Sequence, residues 1–273
     1  MADTPAQVED VFLSFLGDDP KSPKQIRTMT TKQIEKDPVS AKAWTARAWA
    51  NLELEEFDDA IADATKAIEL CPDSYLPWYV RGASNWMTDR HEHAERDLSE
   101  AIRLSDSVQL FLEDCYRFRG GIRCDSGRAE EALADLNACL KIRPDDSWAC
   151  VFRGNAHCRQ KHYQPALKDY EKALKLDAEY SFALGALAWF LATCPDAKFR
   201  NGARALELAT AANDVSNNEH LDDLAAAYAE VGDFKNAVKV QKRAIKKCGN
   251  EVEWRALEKR LKLFEAGKPY RDE

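Results

Sequence analysis

The sequence has no excess of basic charge. Its 39 Lys and Arg stand against 47 Asp and Glu, the net charge is −8, and no terminal basic run compensates. Binding nucleic acid or an anionic membrane in a general way needs clustered Lys and Arg, so neither partner class is expected. Glycine and proline are scarce, at 11 and 10 residues, while 45% of the chain is hydrophobic. That balance excludes a low-complexity chain and predicts folding throughout. Long apolar runs are missing too. The opening MADTPAQVEDVFLSFLGDD has no basic leading region, and its apolar stretch from Val11 to Leu16 is too short for a signal peptide or a membrane span. A cytoplasmic protein is expected.

Motifs of catalysis are equally lacking. There is no Gly-rich phosphate loop, HExxH helix, GxSxG elbow or calcium-loop pattern. Gly120, Gly121 and Gly127 are suggestive only in isolation, because they fall at helix-crossing and turn places of a repeat described below. Cys150, His157, Cys158 and His162 lie close in sequence, but Cys150 and His157 fall on a packing face and Cys158 on another, which is poor metal-ligand geometry. No enzyme activity, cofactor or metal is expected. The eight cysteines lie inside helical patterns rather than in a loop-rich disulfide framework, and reduced, mostly buried thiols are predicted.

What is present is a repeat. Offsetting the chain against itself by 34 residues aligns AIADATKAIELCP from Ala60 with AERDLSEAIRLSD from Ala94 and ALKDYEKALKLDA from Ala166; ALADLNACLKIRP from Ala132 also fits. Each begins with Ala and has a small residue seven later, at Ala67, Ala101, Cys139 and Ala173, where helices must approach closely. Upstream stand WTARAWANLELEEF, WYVRGASNWMTDRH, YRFRGGIRCDSGRA and CVFRGNAHCRQKHY, whose helical apolar faces end near Glu55, Asp89, Gly127 and Lys161.

Helix, short turn and helix every 34 residues resembles the tetratricopeptide repeat (TPR) family, in particular bacterial TPR proteins. The resemblance implies an all-α, right-handed α-solenoid forming a single domain over 1–273, with repeats at 41–74, 75–108, 113–146, 147–180, 181–217 and 218–251. CPDAKFRNG lengthens the turn of the fifth. Residues 7–40 read as a degenerate first repeat, since IRTMTTKQIEKDP aligns with AIADATKAIELCP but lacks the small residues. Residues 251–266 read as a capping helix whose apolar stripe is Trp254, Leu257, Leu261 and Phe264.

In four repeats the seventh place of the first helix is Arg and the matching place of the second helix is Asp: Arg47 with Asp63, Arg81 with Asp97, Arg119 with Asp135, and Arg153 with Asp169. In the fifth repeat both places are leucine (Leu187, Leu208), and in the sixth they are Leu224 and Val240. Such pairwise switching is what direct contact produces, and a row of structural ion pairs is expected.

Places two, five, nine and twelve of the first helix share one face. In the TPR fold that face lines the concave groove, which here would hold Trp49, Tyr79, Trp86, Arg117, Cys124, Trp148, Val151, Asn155, Cys158, Phe182 and Trp189, turning acidic at Glu219, Asp222 and Glu230. Some rings, Trp148 and Phe182 above all, have the alternative of packing between helices. As a whole the stripe predicts a surface for a partner protein's peptide or helix. The alternative is a self-associating homo-oligomer, its groove filled by another copy or by its own tail. The Lys, Asn and Arg clamp that some TPR proteins close on a peptide's terminal carboxylate is not supplied: the fifth places are Thr45, Tyr79, Arg117, Val151, Gly185 and Asp222.

Overall fold

Apolar residues at i, i+3, i+4 spacing, interrupted every 13 or 14 residues by a turn, can bury their stripes only by pairing helices. The computed structural model of the chain shows this pairing; it describes residues 3–8, 10, 21–105, 110–217 and 219–272. These fall into two compact units, residues 1–143 and 144–273. Every described segment of regular structure is helical.

Unit 1 begins its described helices with α1 (Pro23–Lys36), which lies within the segment expected to be a degenerate repeat; the expected first helix of that repeat falls mainly on residues outside the described set. A capping box starts α1: the Ser22 hydroxyl accepts from the Gln25 backbone N–H, and the Gln25 side chain accepts from the Ser22 N–H. Three hairpins follow: α2 (Ala41–Glu53) with α3 (Phe57–Leu70), α4 (Tyr75–Met87) with α5 (His91–Leu104), and α6 (Leu112–Asp125) with α7 (Ala129–Ile142). Their tight turns place Glu55, Asp89 and Gly127 in the left-handed region.

Unit 2 holds α8 (Ser147–Arg159) with α9 (Tyr163–Leu176), α10 (Ser181–Thr193) with α11 (Gly202–Val215), α12 (Leu221–Glu230) with α13 (Phe234–Lys247), and the closing helix α14 (Glu251–Glu265). The inserted turn after α10 contains a short 3-10 segment, Ala197–Phe199. Phe199 anchors it, with its ring 5.8 Å from Tyr163 and 5.9 Å from Phe190. In α14, Leu257, Leu261 and Phe264 are buried, but Trp254 is 44% exposed, so the buried stripe starts a turn later than expected.

The small residues of the second helices, Ala67, Ala101, Cys139 and Ala173, are all fully buried. A complementary relation operates at the eighth place of the first helices. A Cβ on Gly82 would stand 2.9 Å from Leu98 Cγ, one on Gly120 2.8 Å from Leu136 Cγ, and one on Gly154 2.6 Å from Tyr170 Cε1. In the first repeat the same two places carry Ala48 and Ala64, both buried. Where the second helix brings a large side chain the first helix gives up its Cβ, and the shared space stays filled.

Candidate functional site

The Arg–Asp places meet within each hairpin. Arg47 grips Asp63 through Nε and Nη2, both at 2.7 Å. Arg81 holds Asp97 at 2.9 and 2.8 Å, Arg119 holds Asp135 at 2.9 and 2.6 Å, and Arg153 holds Asp169 at 2.8 and 2.6 Å. The hydrogen bond to Asp63 raises the Arg47 pKa, and that to Asp169 raises the Arg153 pKa. Three further sets of residues join the ladder that the two-letter pattern did not reveal. Thr31, Thr65 and Ser99, from the preceding second helix, accept from the remaining Nη1 of Arg47, Arg81 and Arg119. Asn51 and Asn85, one helical turn after the arginine, donate to Asp63 and Asp97. Trp44 and Trp78 lie against the guanidinium groups of Arg47 and Arg81, at 4.7 and 4.9 Å. The signal was available: each of these residue types recurs at the 34-residue period in repeats one and two. These arginines are committed to the fold.

On the expected groove face of unit 1, the structure separates exposed from buried residues. Trp49 and Tyr79 are 9% and 6% exposed, and Cys124 is fully buried. Trp49 belongs to the core of the unit, and Phe111 covers Tyr79 face to face at 4.8 Å. This corrects the expectation that Trp49 and Tyr79 line an open surface: first helices of successive hairpins pack against each other, and Phe111, at the entry to α6, closes over the ring. Trp86 remains half-buried and stacks on Phe118 at 4.7 Å. Arg117 lies over the Phe118 ring at 4.8 Å and pairs with Asp114 at 2.8 Å. Trp86, Phe118 and Arg117 thus form a partly buried cluster, its two rings packed against the core of the unit.

In unit 2, Val151 is fully buried, a second correction of the same kind, because α8 packs against α10 at this place. Trp148 and Phe182 are half-buried and join through Phe152, whose ring is 3.8 Å from Trp148 and 5.5 Å from Phe182. Asn155 accepts from the Tyr170 hydroxyl at 2.8 Å, which also lies 3.4 Å from the Cys158 thiol.

Trp189 has company from the far end of the chain. Its indole N–H donates to Asp272 Oδ2 at 3.0 Å, the Tyr270 ring lies 5.6 Å away, and the Arg260 guanidinium sits 5.3 Å from the Trp189 ring and 5.5 Å from that of Tyr270. Two residues of the expected acidic end, Asp222 and Glu230, are paired with arginines. Asp222 takes Arg260 at 2.8 Å and the Gln241 amide at 2.8 Å; Glu230 takes Arg200 at 3.1 Å and Arg271 at 2.7 Å. Burial raises the Asp222 pKa against the opposing pull of Arg260.

The same region contains a proton-sensitive pair. His220 Nδ1 lies 3.0 Å from Asp223 Oδ2, and a Cβ on Gly185 would come within 2.5 Å of that nitrogen, so the bare fifth place of α10 makes room for the pair. Hydrogen bonding to Asp223 raises the His220 pKa, and burial raises that of Asp223. A raised folded-state pKa contributes stability that is complete below the unfolded value, about 6.5 for histidine, and is lost as pH climbs through the folded value. His220 therefore weakens unit 2 as pH rises above about 6.5, whereas the loss from Asp223 begins in the acid range, above the ordinary carboxylate value. Between about pH 6 and about pH 8, thermal stability should fall more steeply in the wild type than in His220→Asn. Equal slopes in calorimetric scans would exclude the pair as the cause.

Among the described residues, no group of three or more His, Cys, Asp or Glu side chains is arranged to hold a metal ion, and no helix is long and apolar enough to cross a membrane. All eight cysteines are free thiols, six of them buried.

Stacked antiparallel helix pairs, each contributing a small-residue crossing, define an all-α helical-repeat protein. Residues 41–74 and 147–180 match the tetratricopeptide repeat family model. Those two segments are tetratricopeptide repeats, and the fold of the chain is the all-α helical-repeat fold of tetratricopeptide-repeat proteins. Among curated proteins, none matches it by sequence. Among solved structures it is similar to the Cut9–Hcn1 hetero-tetramer of APC/C, with TM-score 0.70 at 16% identity over 94% of this chain and 48% of that one. It is also similar to PilW, a type IV pilus biogenesis factor, with TM-score 0.61 at 16% identity over 80% of this chain and 98% of that one. YrrB, a TPR protein with an unusual peptide-binding site, gives TM-score 0.55 at 19% identity over 70% of this chain and 93% of that one. At these identities the TM-scores show a shared fold alone.

Proposed function

We propose that this protein is a non-enzymatic interaction scaffold that holds a peptide or helix of a partner protein against the aromatic faces of its first helices. The observation that carries the reading is the partly buried Trp86–Phe118 stack with Arg117 laid over it. Two stacked rings, one of them covered by a guanidinium, offer apolar and planar area at low cost in side-chain entropy, and aromatic residues and arginine are the types that dominate binding energy at interfaces. The peptide-binding site of YrrB, on the same fold, supports the same use of these repeats. Eight free thiols favour a reducing, cytoplasmic setting.

The test is capture of partners from native lysate by the wild type and by Trp86→Ala, each first checked for helicity by circular dichroism. A partner retained by the wild type and lost by Trp86→Ala, a reduction of tenfold or more, is the expected result. Equal retention would move binding away from this face.

The tail lying on Trp189 favours a second reading for unit 2, in which the chain fills its own surface or that of another copy. Light scattering across a concentration series distinguishes them: a monomer at all concentrations is expected if the tail docks within its own chain, and a concentration-dependent dimer if it docks on another.

A further inference from the structure

Past the closing helix the chain turns sharply. Gly267, in the left-handed region, ends α14, its N–H bonding to Phe264 O and that of Lys268 to Leu263 O. From there the chain runs without regular structure to the last turn of α10, where three consecutive residues are read by three different kinds of contact. Tyr270 lies beside Trp189, with the Arg260 guanidinium over both rings. Arg271 pairs with Glu230 at 2.7 Å and donates to Ala192 O at 3.1 Å. The Asp272 N–H donates to Thr193 O at 3.0 Å, and its carboxylate accepts from the Trp189 indole.

These are the marks of a bound peptide rather than of a core segment. Ala192 and Thr193 belong to the last turn of a helix, whose carbonyls have no intrahelical partner and are free to take an incoming chain. Main-chain bonds supply affinity without regard to sequence, and the aromatic, the salt bridge and the indole–carboxylate bond supply selectivity. None of the four tail residues Lys268, Pro269, Tyr270 and Arg271 is buried, and Asp272 is exposed. Little apolar area therefore holds the segment down, and its tether keeps it at high effective concentration over the site.

We propose that the surface formed by Trp189, Arg260 and Glu230 is a recognition site for an extended peptide presenting an aromatic residue, then arginine, then aspartate, and that residues 268–272 are its resident, displaceable occupant. A partner carrying that chemistry competes with the tail, which sets a threshold for binding. The proposal rests on the scaffold reading above and names the ligand and its regulation in unit 2.

The probe is a fluorescein-labelled, C-terminally amidated peptide, Gly-Lys-Pro-Tyr-Arg-Asp, followed by anisotropy on the full chain. The tail-weakened chain Tyr270→Ala, Arg271→Ala, Asp272→Ala is expected to bind it at least tenfold more tightly than the wild type. Adding Trp189→Ala or Glu230→Gln should remove the gain, and a peptide with Glu in place of Arg should not bind. Arg271→Ala alone serves as a milder release should the triple change disturb folding. A tail-weakened chain with wild-type circular dichroism that does not bind the peptide would overturn the site. Equal binding by wild type and variant would overturn the tail as its occupant. Either failure, with Trp86-dependent capture intact, leaves the scaffold reading standing; peptide binding that persists while Trp86 dependence is absent does the reverse.

Discussion

Arg81→Leu is expected to destabilise the protein by about 3–5 kcal/mol, while the triple change Arg81→Leu, Asn85→Leu, Asp97→Leu recovers most of that loss. The single substitution removes two charge-assisted bonds and leaves the Asp97 carboxylate, 5% exposed, with the Asn85 amide. A buried charge deprived of its main partner is costly, whereas an apolar cluster of similar volume satisfies the same space. The fifth repeat has already made this exchange: its three corresponding places are Leu187, Leu191 and Leu208. Repeat two is the suitable host. In repeat three Asp135 also takes Arg123 at 2.9 Å, so an apolar pair there would deprive a second arginine of that carboxylate. Chemical denaturation followed by circular dichroism reads the difference, and a triple variant no more stable than Arg81→Leu would refute the exchange.

Leu98→Ala should cost about 2–5 kcal/mol, from lost burial and the cavity left behind. Gly82→Ala alone should cost about 1–3 kcal/mol, because the new methyl meets Leu98 Cγ at 2.9 Å. Together they should cost less than the sum, since the methyl enters the space the leucine leaves and recreates the Ala48–Ala64 arrangement of the first repeat. Recovery will be incomplete, as the Leu98 backbone nitrogen stands 3.2 Å from the added atom. A double-mutant cycle measures the coupling, and strict additivity would show that the two places do not share one space.

The hairpins and their order were legible because a repeat states its pattern several times. Ala67, Ala101, Cys139 and Ala173 recur at crossings, and arginine and aspartate change together or not at all, a contact written into one chain. The ladder's outer members were legible only in part. Thr31, Thr65 and Ser99 reach across from the neighbouring hairpin, and the interval from Ser99 to Arg119 is four residues longer than the others.

The aromatic face shows where periodicity stops. Places two, five, nine and twelve share one side of a helix by backbone geometry alone, which says which face of its own helix each of Trp49, Tyr79, Trp86, Val151 and Trp189 occupies and no more. Whether each side chain meets solvent depends on what a neighbouring element puts over it. Phe111 closes on Tyr79, successive first helices enclose Trp49 and Val151, and Trp86 stays half-open beside Phe118. Nothing in the sequence near Trp189 foretold that Tyr270, Arg271 and Asp272 would lie against its helix, about eighty residues on along the chain. The sequence by itself determined the helical repeat, because period and small-residue spacing are local properties stated many times over. Tertiary structure alone decided which surfaces remain for a partner, because exposure is set by contacts between segments whose separation in sequence carries no period.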